Sequence, residues 1–259
     1  RGLGDVYKRQ IYGNYENMKE AFEQFSERVI HKVVVAQSVE MEGYRYAVEE
    51  KADYYAKAIR VEGSGYRFDL VSPNQTHKDI YLKAMGRHNL SNAIGALAIL
   101  DLGGLPLEKA LASLATFKGI HRRMEVFSLQ NKMVVDDYAH HPEEINAVLK
   151  TISEFYPNKR NMVVFQPHLF SRTRDLMDGF VKVLSQFDEI VLMDIYPARE
   201  EPIAGISSDI LLEMIQHKNK RKILDEDFRA TIVNSEADLV LVLGAGDIGN
   251  LIQKFKKIA

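Results

Sequence analysis

The hydrophobic pattern changes rhythm along the chain. Across residues 14–29, Met18, Phe22, Phe25 and Val29 recur at helical spacing, which predicts an amphipathic helix. The run Lys32-Val-Val-Val-Ala36 predicts a buried strand. Over residues 44–82 apolar and polar positions alternate, as in Tyr66-Arg-Phe-Asp-Leu70, with Gly63-Ser-Gly65 as a turn, so short antiparallel strands are expected. The string Gly86-Arg-His-Asn-Leu-Ser-Asn92 leads into an Ala- and Leu-rich helix over 93–102, stopped by Gly103-Gly104. Pro106 opens another helix over 107–116, at a first-turn position where its missing N–H costs nothing. Residues 117–123 read as a linker.

Beyond Arg123 strands and helices alternate. Strands are expected over 133–135, 161–165, 189–194 and 239–243, and helices over 142–155, 174–186, 208–217 and 247–257. This order predicts an α/β domain with a Rossmann-like, doubly wound, mostly parallel sheet, whose ligands bind beyond the strands' carboxyl ends.

Composition narrows the function classes. The 259 residues are 46% hydrophobic and 27% charged, enough to bury a core. Lys+Arg number 34 against Asp+Glu 36, so no global field favours nucleic acid or a membrane surface. The chain has no cysteine, which excludes thiolate chemistry and disulfides and suits a cytoplasmic setting. No apolar run approaches the ~20 residues a bilayer requires. The first ten residues stand apart. Asp5-Val-Tyr-Lys-Arg-Gln10 can be encoded by GAT GTG TAT AAG AGA CAG, which resembles a transposon-end sequencing adapter, so 1–10 are read as an assembly scar.

Three clusters follow strands. Val135-Asp-Asp-Tyr-Ala-His-His-Pro142 places carboxylates, an aromatic and histidines at a strand end. They suit ribose, base and phosphate, or simply a polar helix start with Asp137 as cap. In Phe165-Gln-Pro-His-Leu-Phe-Ser-Arg-Thr-Arg174, Arg172 and Arg174 are expected at a helix start, where the dipole disfavours arginine and an anionic partner is called for. The loop Asp194-Ile-Tyr-Pro-Ala-Arg-Glu-Glu-Pro202 reads equally as substrate-facing or as an ordinary crossover. Elsewhere, Asn89 and Asn92 share a helix face and offer the donor–acceptor pair that matches adenine, or an ordinary cap and polar turn. Arg122 or Arg123 could reach a phosphate, or form a solvated hinge. Gly244-Ala-Gly-Asp-Ile-Gly249 fits GxGxxG, but no strand and acidic residue follow, so a dinucleotide oxidoreductase is rejected.

These clusters, in this order, resemble the Mur ligases. Phe117-Lys-Gly-Ile-His-Arg-Arg-Met-Glu125, the Asp-Asp-Tyr-Ala-His-His-Pro string, Gln166-Pro-His168, Ser171-Arg-Thr-Arg-Asp175 and Tyr196-Pro-Ala-Arg-Glu-Glu-Pro202 carry the likeness. The resemblance implies that residues 11–120 are the remainder of a central ATP-binding domain and 121–259 a C-terminal Rossmann-like ligase domain. It implies an ATP-dependent ligase that adds L-alanine to UDP-N-acetylmuramate through an acyl phosphate. A murein tripeptide recycling ligase, or a non-catalytic nucleotide-binding module, is the alternative. Carried over residue by residue, His88, Asn89, Asn92, Asp137 and Tyr138 would bind the cofactor ATP. His168, Arg172 and Arg174 would bind substrate, and His140, Arg172, Arg122 and Arg123 would serve catalysis. The position after Gln-Pro-His, often arginine in the family, is Leu169 here. No GxxxxGK[ST] is present, so the P-loop and the Mg²⁺ ligands are expected upstream and no metal ligand is assigned.

Overall fold

The structure, a computed structural model, describes residues 14–130 and 132–258. The expected adapter scar lies outside the described residues. The chain divides into two compact units, one ending at Gly119 and the other beginning at Ile120.

The first unit opens with α1 (Tyr15–Glu27), whose N-cap Asn14 accepts from the Asn17 amide at 2.8 Å. A five-stranded sheet follows, in the order β1 (Val34–Ala36), β2 (Tyr44–Val48), β3 (Tyr54–Glu62), β4 (Gly65–Val71), β5 (Thr76–Leu82). β3, β4 and β5 are antiparallel, as the alternation predicts, but β1, β2 and β3 run parallel. Alternation reports which face is buried and says nothing of strand direction. Two helices complete the unit: α2 (Arg87–Leu102), packed on β1 to β3, and α3 (Leu107–Leu114), packed on β5. Leu90, Ile94 and Leu97 turn α2's apolar stripe to the core.

The second unit is a six-stranded sheet in the order β10-β9-β8-β11-β7-β6. β7 (Lys132–Asp137), β8 (Asn161–Phe165), β9 (Glu189–Leu192), β10 (Lys220–Lys222) and β11 (Leu239–Leu243) are parallel. The edge strand β6 (Glu125–Leu129), which the sequence reading missed, pairs antiparallel with β7. β8, β9 and β11 are almost wholly buried, because helices cover both faces. On one face Val164, Val191 and Val242 pack with Phe228 and Ile232 of α8 (Phe228–Asn234) and Ile252 and Phe255 of α9 (Ile248–Ile258). The other face carries α4 (Pro142–Phe155), α6 (Met177–Leu184) and α7 (Ser208–Met214), with the rings of Phe165 and Phe180 5.4 Å apart.

The expected helix over 174–186 is instead two: α5 (Phe170–Asp175) and α6, split at Leu176, whose φ of −119° and ψ of 18° leave the helical well. Among the described residues no helix is long and apolar enough to cross a membrane.

Candidate functional site

The chemistry-bearing loops of the second unit leave the carboxyl ends of β7, β8, β9 and β11, where doubly wound sheets hold ligands. Their residues divide into a buried frame and an outward row.

The frame begins with Asp136, fully buried. Its Oδ1 accepts from Arg122 Nε at 3.2 Å, and Lys256 Nζ lies 3.8 Å from Oδ2. Burial raises this carboxyl above the usual aspartate range, against the lowering pull of Arg122 and Lys256. Arg122 also donates to the Gly244 carbonyl at 2.6 Å and lies over the Tyr138 ring, 5.2 Å from its centroid. A Cβ on Gly249 would meet the Arg122 guanidinium, which would then have to shift. Arg122 is thus anchored within the protein through Nε and Nη2. Of the two candidates, exposed Arg123, 5.7 Å from the Tyr138 centroid, is the one that faces solvent.

Asp137 is anchored as well. It is 4% exposed, and its oxygens accept from the amides of Met124 at 2.7 Å and Ala139 at 2.8 Å. It braces the β7 loop, and burial raises its carboxyl. It does not cap a helix. His141 does, with Nδ1 accepting from the Glu143 amide at 3.3 Å, and burial holds that imidazole below its ordinary value. Gln166 completes the frame by accepting from the Ile248 amide at 3.0 Å and donating to Asp247.

The outward row is Tyr138, His140, His168 and Tyr196, with Arg172 beneath. Tyr138 and His140 meet edge to face at 5.4 Å, His140 and His168 are 6.1 Å apart, and His168 stacks on Tyr196 at 5.6 Å and 23°. His140 Nδ1 lies 2.8 Å from the Tyr138 carbonyl, which only accepts, so Nδ1 carries the proton. His168 Nδ1 accepts from Arg172 Nη1 at 3.2 Å. His140, His168 and Arg172, predicted as site residues, are therefore brought together.

Arg172 is the third residue of the six-residue α5 and Arg174 the fifth, so first and last turns overlap there and the helix dipole decides little for either cation. Arg174 is exposed and bound to neighbouring Asp175 at 2.9 Å. Two positions from Arg172 is about 200° around a helix, so it is not part of this row. Leu169 has φ 73° and ψ 132°, a conformation L-residues rarely adopt. Sequence reasoning left Tyr196 undecided. Its signal was the string after β9, which in the structure adds a bridge between Tyr196 and His168.

In the first unit, Asn89 Nδ2 donates to the Met85 carbonyl at 2.7 Å, so one of its two N–H donors serves the chain. Asn92 and His88 are exposed, and the His88 ring folds over Gly86, where an added Cβ would come within 2.5 Å of it. Among the described residues no group of three or more His, Asp or Glu could hold a metal ion.

Residues 10–100 match the Mur ligase middle domain, and residues 122–246 match the Mur ligase, glutamate ligase domain. The chain belongs to the Mur ligase family. Each matched Mur ligase domain falls within one of the two units. A UDP-N-acetylmuramate–L-alanine ligase of Flavobacterium johnsoniae is 42% identical over 98% of this chain, which covers 57% of that protein. One of Porphyromonas gingivalis is 35% identical over 95% of the chain and 57% of its own length. The chain thus spans a little over half the length of these relatives. The crystal structure of a Thermotoga maritima UDP-N-acetylmuramate-alanine ligase is similar with a TM-score of 0.80 and 26% identity, over 98% of this chain and 57% of that one.

Proposed function

We propose that this Mur ligase segment belongs to an ATP-dependent enzyme that joins L-alanine to the carboxylate of UDP-N-acetylmuramate, for peptidoglycan precursor synthesis. The observation that carries the reading is 42% identity to a ligase of that name across 98% of the chain, which includes the whole row of Tyr138, His140, His168 and Arg172.

The chemistry fits the row. A carboxylate oxygen attacks the terminal phosphorus of ATP and ADP leaves. The amine of L-alanine then attacks the acyl carbon and phosphate leaves. Both steps gather negative charge, and positioning plus charge neutralisation lower the barrier. Arg172, fixed by His168, is the cation suited to the substrate carboxylates. Arg123 is suited to phosphate oxygens, and His140, with Nδ1–H on the Tyr138 carbonyl, leaves Nε2 to the site. ATP supplies the phosphoryl group. Asn92 presents an exposed amide for an adenine edge, and Asn89, with one amide hydrogen on the Met85 carbonyl, can add its oxygen and its second N–H. Mg²⁺ belongs to such chemistry, but no described residue set fits it and none is assigned.

The test is phosphate release by the intact ligase that carries this segment. Release that needs ATP, UDP-N-acetylmuramate and L-alanine together is expected. Turnover with a murein tripeptide in place of L-alanine would move the enzyme to recycling, and nucleotide binding without turnover would leave a binding module. The chain alone, which lacks GxxxxGK[ST], is expected to release no phosphate.

A further inference from the structure

We propose that Tyr196 and Glu200, in the loop after β9, are positioning residues that aim His168 and Arg172 at the substrate anions. The proposal rests on the reading above that those two residues take the carboxylate-bearing substrates.

The loop grips the segment after β8 at three levels. The Tyr196 amide donates to the Pro167 carbonyl at 2.8 Å, and the Leu169 amide donates to the Tyr196 carbonyl at 2.9 Å. The Tyr196 ring stacks on the His168 ring at 5.6 Å. Glu200 accepts from the Ser171 amide at 2.9 Å and from the Ser171 hydroxyl. Residues 167–171 are therefore held from one side, just before Arg172.

Two features show that the grip is built rather than incidental. Leu169 sits at φ 73°, a strained conformation that persists only when its surroundings over-determine it. The Tyr196 carbonyl on its N–H, and Thr173, whose amide and hydroxyl donate to its carbonyl at 3.1 and 2.8 Å, supply that constraint. The loop after β11 also leaves space for Tyr196. A Cβ on Gly246 would lie 2.7 Å from Tyr196 Cβ and Cγ. A loop that merely crossed the sheet would need neither the strained residue nor the slot. The loop is itself fastened, with Lys222 Nζ 3.0 Å from Asp194 and the Glu200 amide donating to the Pro197 carbonyl at 2.9 Å.

The experiment has two arms. In the intact ligase, Y196L and E200A are expected to raise the KM for L-alanine and for UDP-N-acetylmuramate about tenfold. The KM for ATP should stay within about twofold, and Y196F, which keeps the ring, should behave as the parent. In this chain, NMR of the His168 ring protons should show an upfield ring-current shift that Y196L abolishes and Y196F retains. Equal rises in all three KM values, unchanged KM values in both variants, or a His168 resonance indifferent to Y196L would overturn the proposal. If the parent ligase uses another substrate, the functional reading fails while the His168 result still decides the contact. Should Y196L not fold, E200A carries the kinetic arm alone, and unchanged kinetics there overturn the proposal.

Discussion

Replacing Arg122 by methionine isolates the buried charge behind the site. Asp136 is fully buried, and Arg122 is its nearer cation at 3.2 Å, with Lys256 at 3.8 Å from the other oxygen. Removing one partner of a buried pair costs about 3–5 kcal/mol, because the other charge stays behind unpaired. Lys256 remains, which places the cost near the lower end. The Gly244 carbonyl loses its 2.6 Å donor, worth about 1 kcal/mol more. R122M should thus destabilise the second unit by roughly 4 kcal/mol at pH 8. The double variant R122M/D136N should recover about 2 kcal/mol of that, since it removes the orphaned charge.

The sign of the pH dependence follows from Asp136. Burial raises its carboxyl in the folded state, so folding takes up a proton as pH falls from the raised value toward about 3.9 in the unfolded chain. Its own contribution to stability therefore falls as pH rises through that window. Without Arg122, one lowering influence is lost and the window extends upward. The deficit of R122M should then grow as pH rises through the raised range of this carboxyl. Urea unfolding of the whole chain, followed by far-UV circular dichroism, measures both. A deficit below about 1 kcal/mol, one that does not change with pH, or a double variant no better than the single would refute the argument.

Other expectations share this geometry. Glycine should be more stable than alanine at position 169 by about 1 kcal/mol, the reverse of the usual order, because only glycine relieves φ 73°, and thermal melts of L169G and L169A decide it. G249A should cost about 1–3 kcal/mol and carry a weakened form of the R122M pH signature, since its Cβ meets a guanidinium already fixed at both ends. In the intact ligase, R172K should raise the KM for the carboxylate substrates about tenfold, whereas R174A should leave it within about twofold. Equal effects of the two would show that Arg174 does face the substrates.

Much of the second unit was legible in the chain. Parallel strands covered on both faces appear as continuous apolar runs, and α4, β8 and β11 fall where the pattern puts them. The losses have separate causes. β6 mixes charge and apolar residues, as an edge strand does, and β10 is three basic residues placed by pairing to β9 alone. The break at Leu176 is a backbone event with no glycine or proline to announce it. At the site, His140, His168 and Arg172 were recognisable because their side chains have uncommon chemistry at strand ends. At Asp137 the chain alone leaves two roles, because an aspartate at a strand end suits a ribose and a backbone brace equally, and the structure adds the brace, separating this buried carboxylate from the outward row.

That separation has a consequence for the site's electrostatics. Adjacent residues of a strand point to opposite faces, yet Asp136 and Asp137 are both buried, because the segment from Arg122 to Met124 serves one with a guanidinium and the other with an amide. Around Asp136 the frame holds Arg122 and Lys256 against Asp136 and Glu125, with Lys256 Nζ 2.9 Å from Glu125. Two cations face two carboxylates, so this group adds little net field at the sheet edge. Outside this group, Arg123 is exposed and Arg172 is buried against His168. The loops after β7, β8 and β11 are short, whereas the loop after β9 runs over 193–207 and is fastened along its length. Their aim is then set by backbone hydrogen bonds and stacking rather than by the closure of long, mobile segments.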